Sequence, residues 1–321
     1  MNRYERQEIL PEVGVVGQGR LAAARVLVVG AGGLAATVLP LLTAAGVGRM
    51  TIVDGDRVDH SNLHRQTLFT EDDIGRPKAD AAAERCRKLN REVLLVPWRR
   101  ALTPDNVDDL VDASDIVLDC ADSYAVSYML SDACAATRTP LISASVLEVS
   151  GYVGGFCGGA PSLRAVFPNA PDNAANCATA GVMGPVVAML GAAQAQMAMS
   201  VILELQPEPL GQVLSMDMKN YRTSGFRFDG AEEPQAYFPF VARSELSEHD
   251  EIVELRDVEE EPERIHWAVR RISPAQLEND LIVSDKRLAL VCASGLRAWR
   301  AAEKIQNTWP GEIVLVAAKA S

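Results

Sequence analysis

Arg25-Val26-Leu27-Val28-Val29-Gly30-Ala31-Gly32-Gly33-Leu34-Ala35 decides the fold. An apolar run ends in glycines and gives way to a small-residue helical pattern that continues to about Ala45, the spelling of a strand, a tight turn and a helix. In such a turn the backbone N–H groups and the helix dipole converge on an anion. Working outward, a second apolar run at 50–53 stops at Asp54, a carboxylate able to accept hydrogen bonds from ribose hydroxyls. Runs at 93–96, 115–118 and 140–143 alternate with helix-like segments, which predicts a Rossmann-like α/β fold with a mostly parallel sheet covered on both faces. After Glu148 the pattern changes to glycine-rich strands, a long helix over 181–205, and strands over 212–216 and 222–228, so the sheet is expected to continue into an antiparallel half.

Residues 229–242 are rich in Gly, Glu, Pro and Gln and read as a linker between a first domain, 1–228, and a small α/β domain, 243–321. The second domain carries a strand at 251–255, an acidic cluster at 257–263 and a strong strand at 288–291. The stretch 185–205 is apolar enough to raise the question of a membrane span, but Gln194 and Gln196 interrupt it and a buried helix is the better reading. A formal net charge of −12 argues against a nucleic-acid or anionic-membrane surface. The charged N-terminus carries no signal-peptide pattern, so a cytoplasmic protein is expected. Six cysteines without a CxxC pair suit a reducing compartment and offer no structural zinc site.

The glycine turn alone equally describes a site for NAD in an oxidoreductase. What discriminates is Ser61-Asn62-Leu63-His64-Arg65-Gln66 and Arg76-Pro77-Lys78, which put cations and amides just beyond the second strand. Hydride transfer has little use for that charge, whereas nucleotidyl transfer needs it to stabilise phosphate oxygens and departing pyrophosphate. Asp122, close after the fourth strand, is placed to hold Mg²⁺ against the same phosphates.

With these motifs the chain resembles the molybdopterin-synthase and thiamine-pathway sulfur-carrier adenylyltransferases, relatives of ubiquitin-activating enzymes. The resemblance runs from about residue 2 to 228 through Arg3-Tyr4-Glu5-Arg6-Gln7, Gly17-Gln18, the glycine turn, Asp54-Gly55-Asp56, the 61–66 and 76–78 segments, Asp119-Cys120-Ala121-Asp122, and Cys177-Ala178-Thr179-Ala180-Gly181-Val182. It implies that Gly30, Gly32, Gly33, Asp54 and Asp56 hold the adenosine end of ATP. Ser61, Asn62, Leu63, His64, Arg65, Gln66 and Lys78 would surround the triphosphate, with Asp122 and Ser123 beside the magnesium ion. It further implies a homodimer in which Arg6 reaches the partner subunit's site, and a ubiquitin-like sulfur-carrier protein whose Gly-Gly tail is adenylated. Cys177 is a candidate for covalent capture of the activated carrier.

Cys292-Ala293-Ser294-Gly295-Leu296-Arg297, joining a strand to a helix near Ala298, resembles the persulfide loop of a shortened rhodanese domain. N–H groups wrapping toward a helix N-terminus, with Arg297 beside them, predict a low-pKa thiol at Cys292. That thiol would take sulfur from a cysteine-desulfurase-type donor and pass it on to form a thiocarboxylate. The chain departs from the family pattern at Ser162 and Ala165, where a zinc-binding CxxC pair is usual, so no structural zinc is expected. It departs again at Ser123, Ser127 and Ser131, where Asn, Arg and Asn are usual. The lost arginine keeps a second reading open, a dimeric scaffold that binds the carrier without chemistry.

Overall fold

The computed structural model describes residues 2–169 and 180–319. Two short helices, α1 (Glu5–Glu8) and α2 (Gly14–Ala23), lead into the alternation β1 (Arg25–Val29), α3 (Ala35–Ala45), β2 (Arg49–Val53), α4 (Lys78–Leu89), β3 (Leu94–Trp98), α5 (Val107–Asp112), β4 (Ile116–Asp119), α6 (Tyr124–Thr137) and β5 (Pro140–Leu147). Then come β6 (Ser150–Cys157), α7 (Leu163–Val166), α8 (Gly184–Ile202), β7 (Gln212–Asp217) and β8 (Arg222–Arg227). These eight strands form one sheet in the order β3-β2-β1-β4-β5-β6-β7-β8, parallel through β5 and antiparallel from β6 onward. The mostly parallel sheet with an antiparallel continuation is therefore present as expected.

Alternation along β1 explains why both faces are covered. Val26 and Val28 join a core under α3, α4 and α8, while Leu27 and Val29 join a second core under α5 and α6. In register, Val29 lies beside Val53 on one side and Asp119 on the other. Three strands thus end level, and Gly30, Asp54 and Cys120 emerge together at the carboxyl edge, where open parallel sheets bind ligands.

Helix α8 is long and apolar enough to cross a membrane by composition, yet its face from Val186 to Ala198 packs into the core. Gln194 in its middle is fully buried and donates to the carbonyls of Asp119 and Ile142. A buried amide that donates to carbonyls of two neighbouring strands fixes the helix to the sheet.

The remaining elements are β9 (Glu251–Glu254), β10 (Arg270–Arg271), α9 (Leu277–Asp280), β11 (Leu288–Cys292), α10 (Leu296–Ile305) and β12 (Ile313–Ala317). They build a parallel four-stranded sheet ordered β10-β9-β11-β12, and Phe240 adds a bridge to Leu315 on the open edge of β12. Residues before β9 are tied to both sheets. Glu233 accepts from the backbone N–H and the hydroxyl of Ser162, at the position where the family pattern has its first zinc cysteine.

Arg164, 3% exposed, pairs with Asp132 at 2.6 Å and lies over the rings of Tyr128, Tyr237 and Trp299. Burial pushes the Asp132 carboxyl up while Arg164 pulls it back down. Removing one partner of such a pair strands the other charge. Arg164→Leu is therefore expected to lower the unfolding free energy by about 3 kcal/mol, with Asp132→Leu on top recovering part of it. Urea midpoints of the two variants check this, and an unchanged midpoint for Arg164→Leu would refute it.

Candidate active site

A cavity of about 660 Å³ opens along the carboxyl edge of the large sheet. Gly30, Gly32, Gly33, Asp54, Asp56, Asn62, Arg65, Gln66, Lys78, Asp122 and Ser123, all expected from the sequence, line it. The turn is built for close approach. Gly30 has φ +90°, and a Cβ there would stand 2.7 Å from the Cys120 carbonyl oxygen, so no other residue fits without a shift.

Asp54 Oδ2 accepts from the Ala31 N–H at 2.7 Å, and Oδ1 accepts from the Asp56 N–H at 2.8 Å. Each oxygen keeps a lone pair free for a ligand hydroxyl. Burial pushes the Asp54 carboxyl up, and Lys78 works against it. Lys78 opens α4, is 7% exposed and pairs with Asp56 at 2.8 Å. Gln66 is 3% exposed, and its Oε1 has no partner although the residue lines the cavity. A buried acceptor without a donor costs free energy, and a bound ligand can supply one.

Beneath Asp122, Asp119 is fully buried and accepts from the Ser143 hydroxyl at 2.8 Å and from the Ala121 N–H. Burial pushes its carboxyl up to about 6, against hydrogen bonds from Ser127 and Ser143 that hold it down. Asp122 itself is exposed to the cavity. Among the described residues no three His, Cys, Asp or Glu side chains cluster to hold a metal. Asp122 lines the cavity with Asp54 and Asp56, but Asp54 accepts two backbone N–H bonds and Asp56 pairs with Lys78, which leaves Asp122 the carboxylate suited to a cation bound mainly through phosphate oxygens and water.

Several expectations are corrected. Ser61, Leu63 and His64 do not line the cavity. The tight turn His60–Asn62 spends the Ser61 hydroxyl on Asp59, Leu63 packs on the core, and His64 Nε2 accepts from Arg65 at 2.8 Å. Arg76, one of the clustered cations, is engaged by Asp73 at 2.7 Å and by Glu84, which leaves Arg65 and Lys78 as the cations on the cavity wall.

Cys292 overturns the low-pKa expectation. Its Sγ does accept from the Gly295 and Ala298 N–H groups at 3.1 and 3.3 Å, as a nest predicts, but it is 1% exposed and burial pushes the thiol above its ordinary range. Arg297 still lowers it through its backbone N–H and its charge, but burial outweighs it, and the guanidinium is paired with Glu260 at 2.8 Å. Arg6 is exposed on α1, whose place is fixed by Tyr4 against Asn90 and Glu92 and by Gln7 against Gln18, and it lies outside this chain's cavity wall. Cys177 lies outside the described residues.

Sequence reasoning missed an aromatic wall made by Tyr124, Tyr128, Tyr152 and Phe167. Of the serines that replace family residues, Ser123 and Ser127 line the cavity, whereas Ser131 is buried and accepts from the Leu163 N–H at 3.0 Å.

A Rossmann-like sheet with a glycine turn, an acidic residue just after β2 and lysine and arginine facing one cavity makes the kind of site that open parallel sheets use for nucleotides. The chain belongs to the ThiF family, whose sequence pattern matches residues 4–236. It is 44% identical over 218 residues to the adenylyltransferase and sulfurtransferase MOCS3 of Sus scrofa, which covers 67% of this chain and 48% of that one. It is 39% identical over 219 residues to the SAMP-activating enzyme E1 of Haloferax volcanii, covering 68% of this chain and 81% of that one. The chain spans about half the length of the MOCS3 relatives it matches. Among solved structures, Escherichia coli MccB bound to ATP has the same fold, with a TM-score of 0.62 at 21% identity over 74% of this chain and 72% of that one.

Proposed function

We propose that the protein is an adenylyltransferase that uses ATP to adenylate the C-terminal glycine carboxylate of a ubiquitin-like sulfur-carrier protein, and that its small C-terminal domain then takes part in sulfur transfer. The observation that carries this reading is the convergence of the glycine turn, Asp54, the unpartnered Gln66 oxygen, Arg65, Lys78 and Asp122 on one cavity. Membership of the family supports it, as does the similarity to a protein named adenylyltransferase and sulfurtransferase.

In this reading Gly30, Gly32, Gly33 and Asp54 bind the nucleoside end of ATP. Asn62, Arg65, Gln66 and Lys78 bind the triphosphate. The Lys78 ammonium leaves Asp56 for phosphate, a stronger anion for a buried lysine to neutralise. Asp122, with Ser123 beside it, holds Mg²⁺, which when bound would neutralise charge on the phosphates. The carrier's carboxylate is already ionised at neutral pH, so orientation and charge neutralisation carry the step without a general base.

The same reading takes 1–228 as the adenylating domain, 229–242 as its connection, and 243–321 as a rhodanese-like domain with Cys292 as sulfur acceptor from a cysteine-desulfurase-type donor. The parallel order of the second sheet and the two N–H groups on Cys292 Sγ support that assignment. Arg6, exposed and away from its own cavity, fits a homodimer that shares sites between subunits. Cys177 is proposed, from the sequence, to capture the activated carrier. Ser162 bonded to Glu233 supports an enzyme without structural zinc, and the composition a cytoplasmic one.

Ser127, where the family has arginine, favours a second reading, a carrier-binding scaffold without turnover. Incubating the protein, ATP, magnesium and a Gly-Gly-ended carrier should give ATP–pyrophosphate exchange that disappears when the two glycines are removed. Carrier binding without exchange would establish the scaffold instead. Turnover of NAD would establish an oxidoreductase.

A further inference from the structure

The active-site cavity runs sideways along the sheet edge. Its nucleoside end lies at β1 and β2, and its other end lies at β5 and β6, where Ser145 and Tyr152 are paired and both line it. From β2 to β6 is four strand spacings, on the order of 19 Å. That leaves the aromatic end for the acyl substrate once a nucleotide fills the glycine end.

This end is held from outside the large sheet. Tyr128 is 4% exposed, lines the cavity, and donates its hydroxyl to the Phe167 carbonyl oxygen at 2.6 Å. The Phe167 ring in turn lies 5.3 Å from that of Tyr152. Behind Tyr128 stands Trp299 of α10, 2% exposed, its ring centroid 4.5 Å away and its plane turned by 80°. Helix α10 is also the helix whose first turn donates to Cys292 Sγ. The Arg164 guanidinium lies 4.9 Å from the centre of the Tyr128 ring and 5.4 Å from that of Trp299, and is itself fixed by Asp132 one turn beyond Tyr128. An edge-to-face pair buried on both sides leaves the tyrosine a single ring orientation, and so a single place for its hydroxyl.

We propose that Trp299 is a positioning residue for the acyl end of the adenylation cavity. It holds Tyr128 and, through the Tyr128 hydroxyl, the Phe167 backbone, so that the C-terminal sheet sets how tightly the cavity accepts the tail of a carrier protein. The inference rests on the adenylation reading and goes beyond it by making the C-terminal domain part of the acyl site.

The test uses the full chain, MgATP titration, and ATP–pyrophosphate exchange with a ubiquitin-like carrier ending in Gly-Gly. Trp299→Ala should raise the KM for carrier about tenfold while kcat and the Kd for MgATP stay within about twofold, and Trp299→Phe should restore the KM to within about threefold. Tyr128→Phe, which keeps the ring and drops only the bond to Phe167, should raise the carrier KM about fivefold, and the two changes should combine to less than their product. A folded Trp299→Ala protein with an unchanged carrier KM overturns the inference, and so does one whose Kd for MgATP rises in step with that KM. Should Trp299→Ala not fold, an unchanged carrier KM in Tyr128→Phe overturns it alone. Wild-type protein that binds no MgATP overturns the adenylation reading and this inference together, whereas normal exchange with indifferent variants overturns only the inference.

Discussion

Asp122→Ala should remove nearly all ATP–pyrophosphate exchange, a loss of at least about a hundredfold, while leaving the protein folded. The side chain is exposed at the cavity and packs no core, so the stability change should stay within about 0.5 kcal/mol. The loss should be largely electrostatic. Asp122→Asn, which keeps the shape and the acceptor oxygen but not the charge, should be nearly as inactive as the alanine variant. Binding of metal-free ATP should change little in either, because the glycine turn, Lys78 and Arg65 remain. Exchange at the wild-type rate in a folded Asp122→Ala protein would remove this carboxylate from the mechanism.

Cys292→Ser is expected to abolish labelling of the protein by sulfane sulfur from thiosulfate or a loaded cysteine desulfurase, and with it thiocarboxylate formation. The proposed adenylation, assigned to residues of the other sheet, should proceed. The buried, raised thiol adds a second expectation. A thiol pushed by burial above its ordinary range is protonated at neutral pH, so iodoacetamide should alkylate Cys292 slowly there and faster as the solution is made more alkaline. The Gly295 and Ala298 N–H groups can still stabilise negative charge once sulfur has been transferred, since they already point at Sγ. Thiocarboxylate made at the wild-type rate by Cys292→Ser would mean that sulfur reaches the carrier from another protein.

Much of the fold was legible because local signals agreed with one another. The run 25–29 followed by glycines could hardly be anything but a strand and a phosphate-type turn, and Asp54 followed from the same logic one strand later. The strand Ile313–Ala317 was not among the elements expected from the sequence; its place beside β11 is set by the pairing of Leu288–Cys292 with Ile313–Ala317. At the site, charge was readable and depth was not. Arg76 and Lys78 look alike in a motif, but Asp73, whose carboxyl the nearby Arg85 and Thr70 hold down at about 2, claims Arg76 and leaves Lys78 to the cavity. Likewise the loop after Cys292 was recognisable, whereas its burial, which reverses the expected direction of the thiol's pKa, depends on how the second sheet is packed. The aromatic wall was invisible because Tyr124 and Tyr128 on α6, Tyr152 on β6 and Phe167 after α7 belong to three separate segments, and only tertiary contact gives them a common role.

The shared packing of the two sheets bears on how this chain can be cut and recombined. Tyr128 and Met129 on one side and Trp299, Phe240 and Leu315 on the other belong to a single buried cluster. A recombinant fragment ending at 228 would present that greasy patch to water and should tend to aggregate or self-associate. A chimera receiving the C-terminal segment would need to bring along the α6 surface that covers it. Gene fusions that treat the two halves as interchangeable cassettes should therefore fail at this seam, and heating the intact chain should give one calorimetric transition in which both sheets melt together.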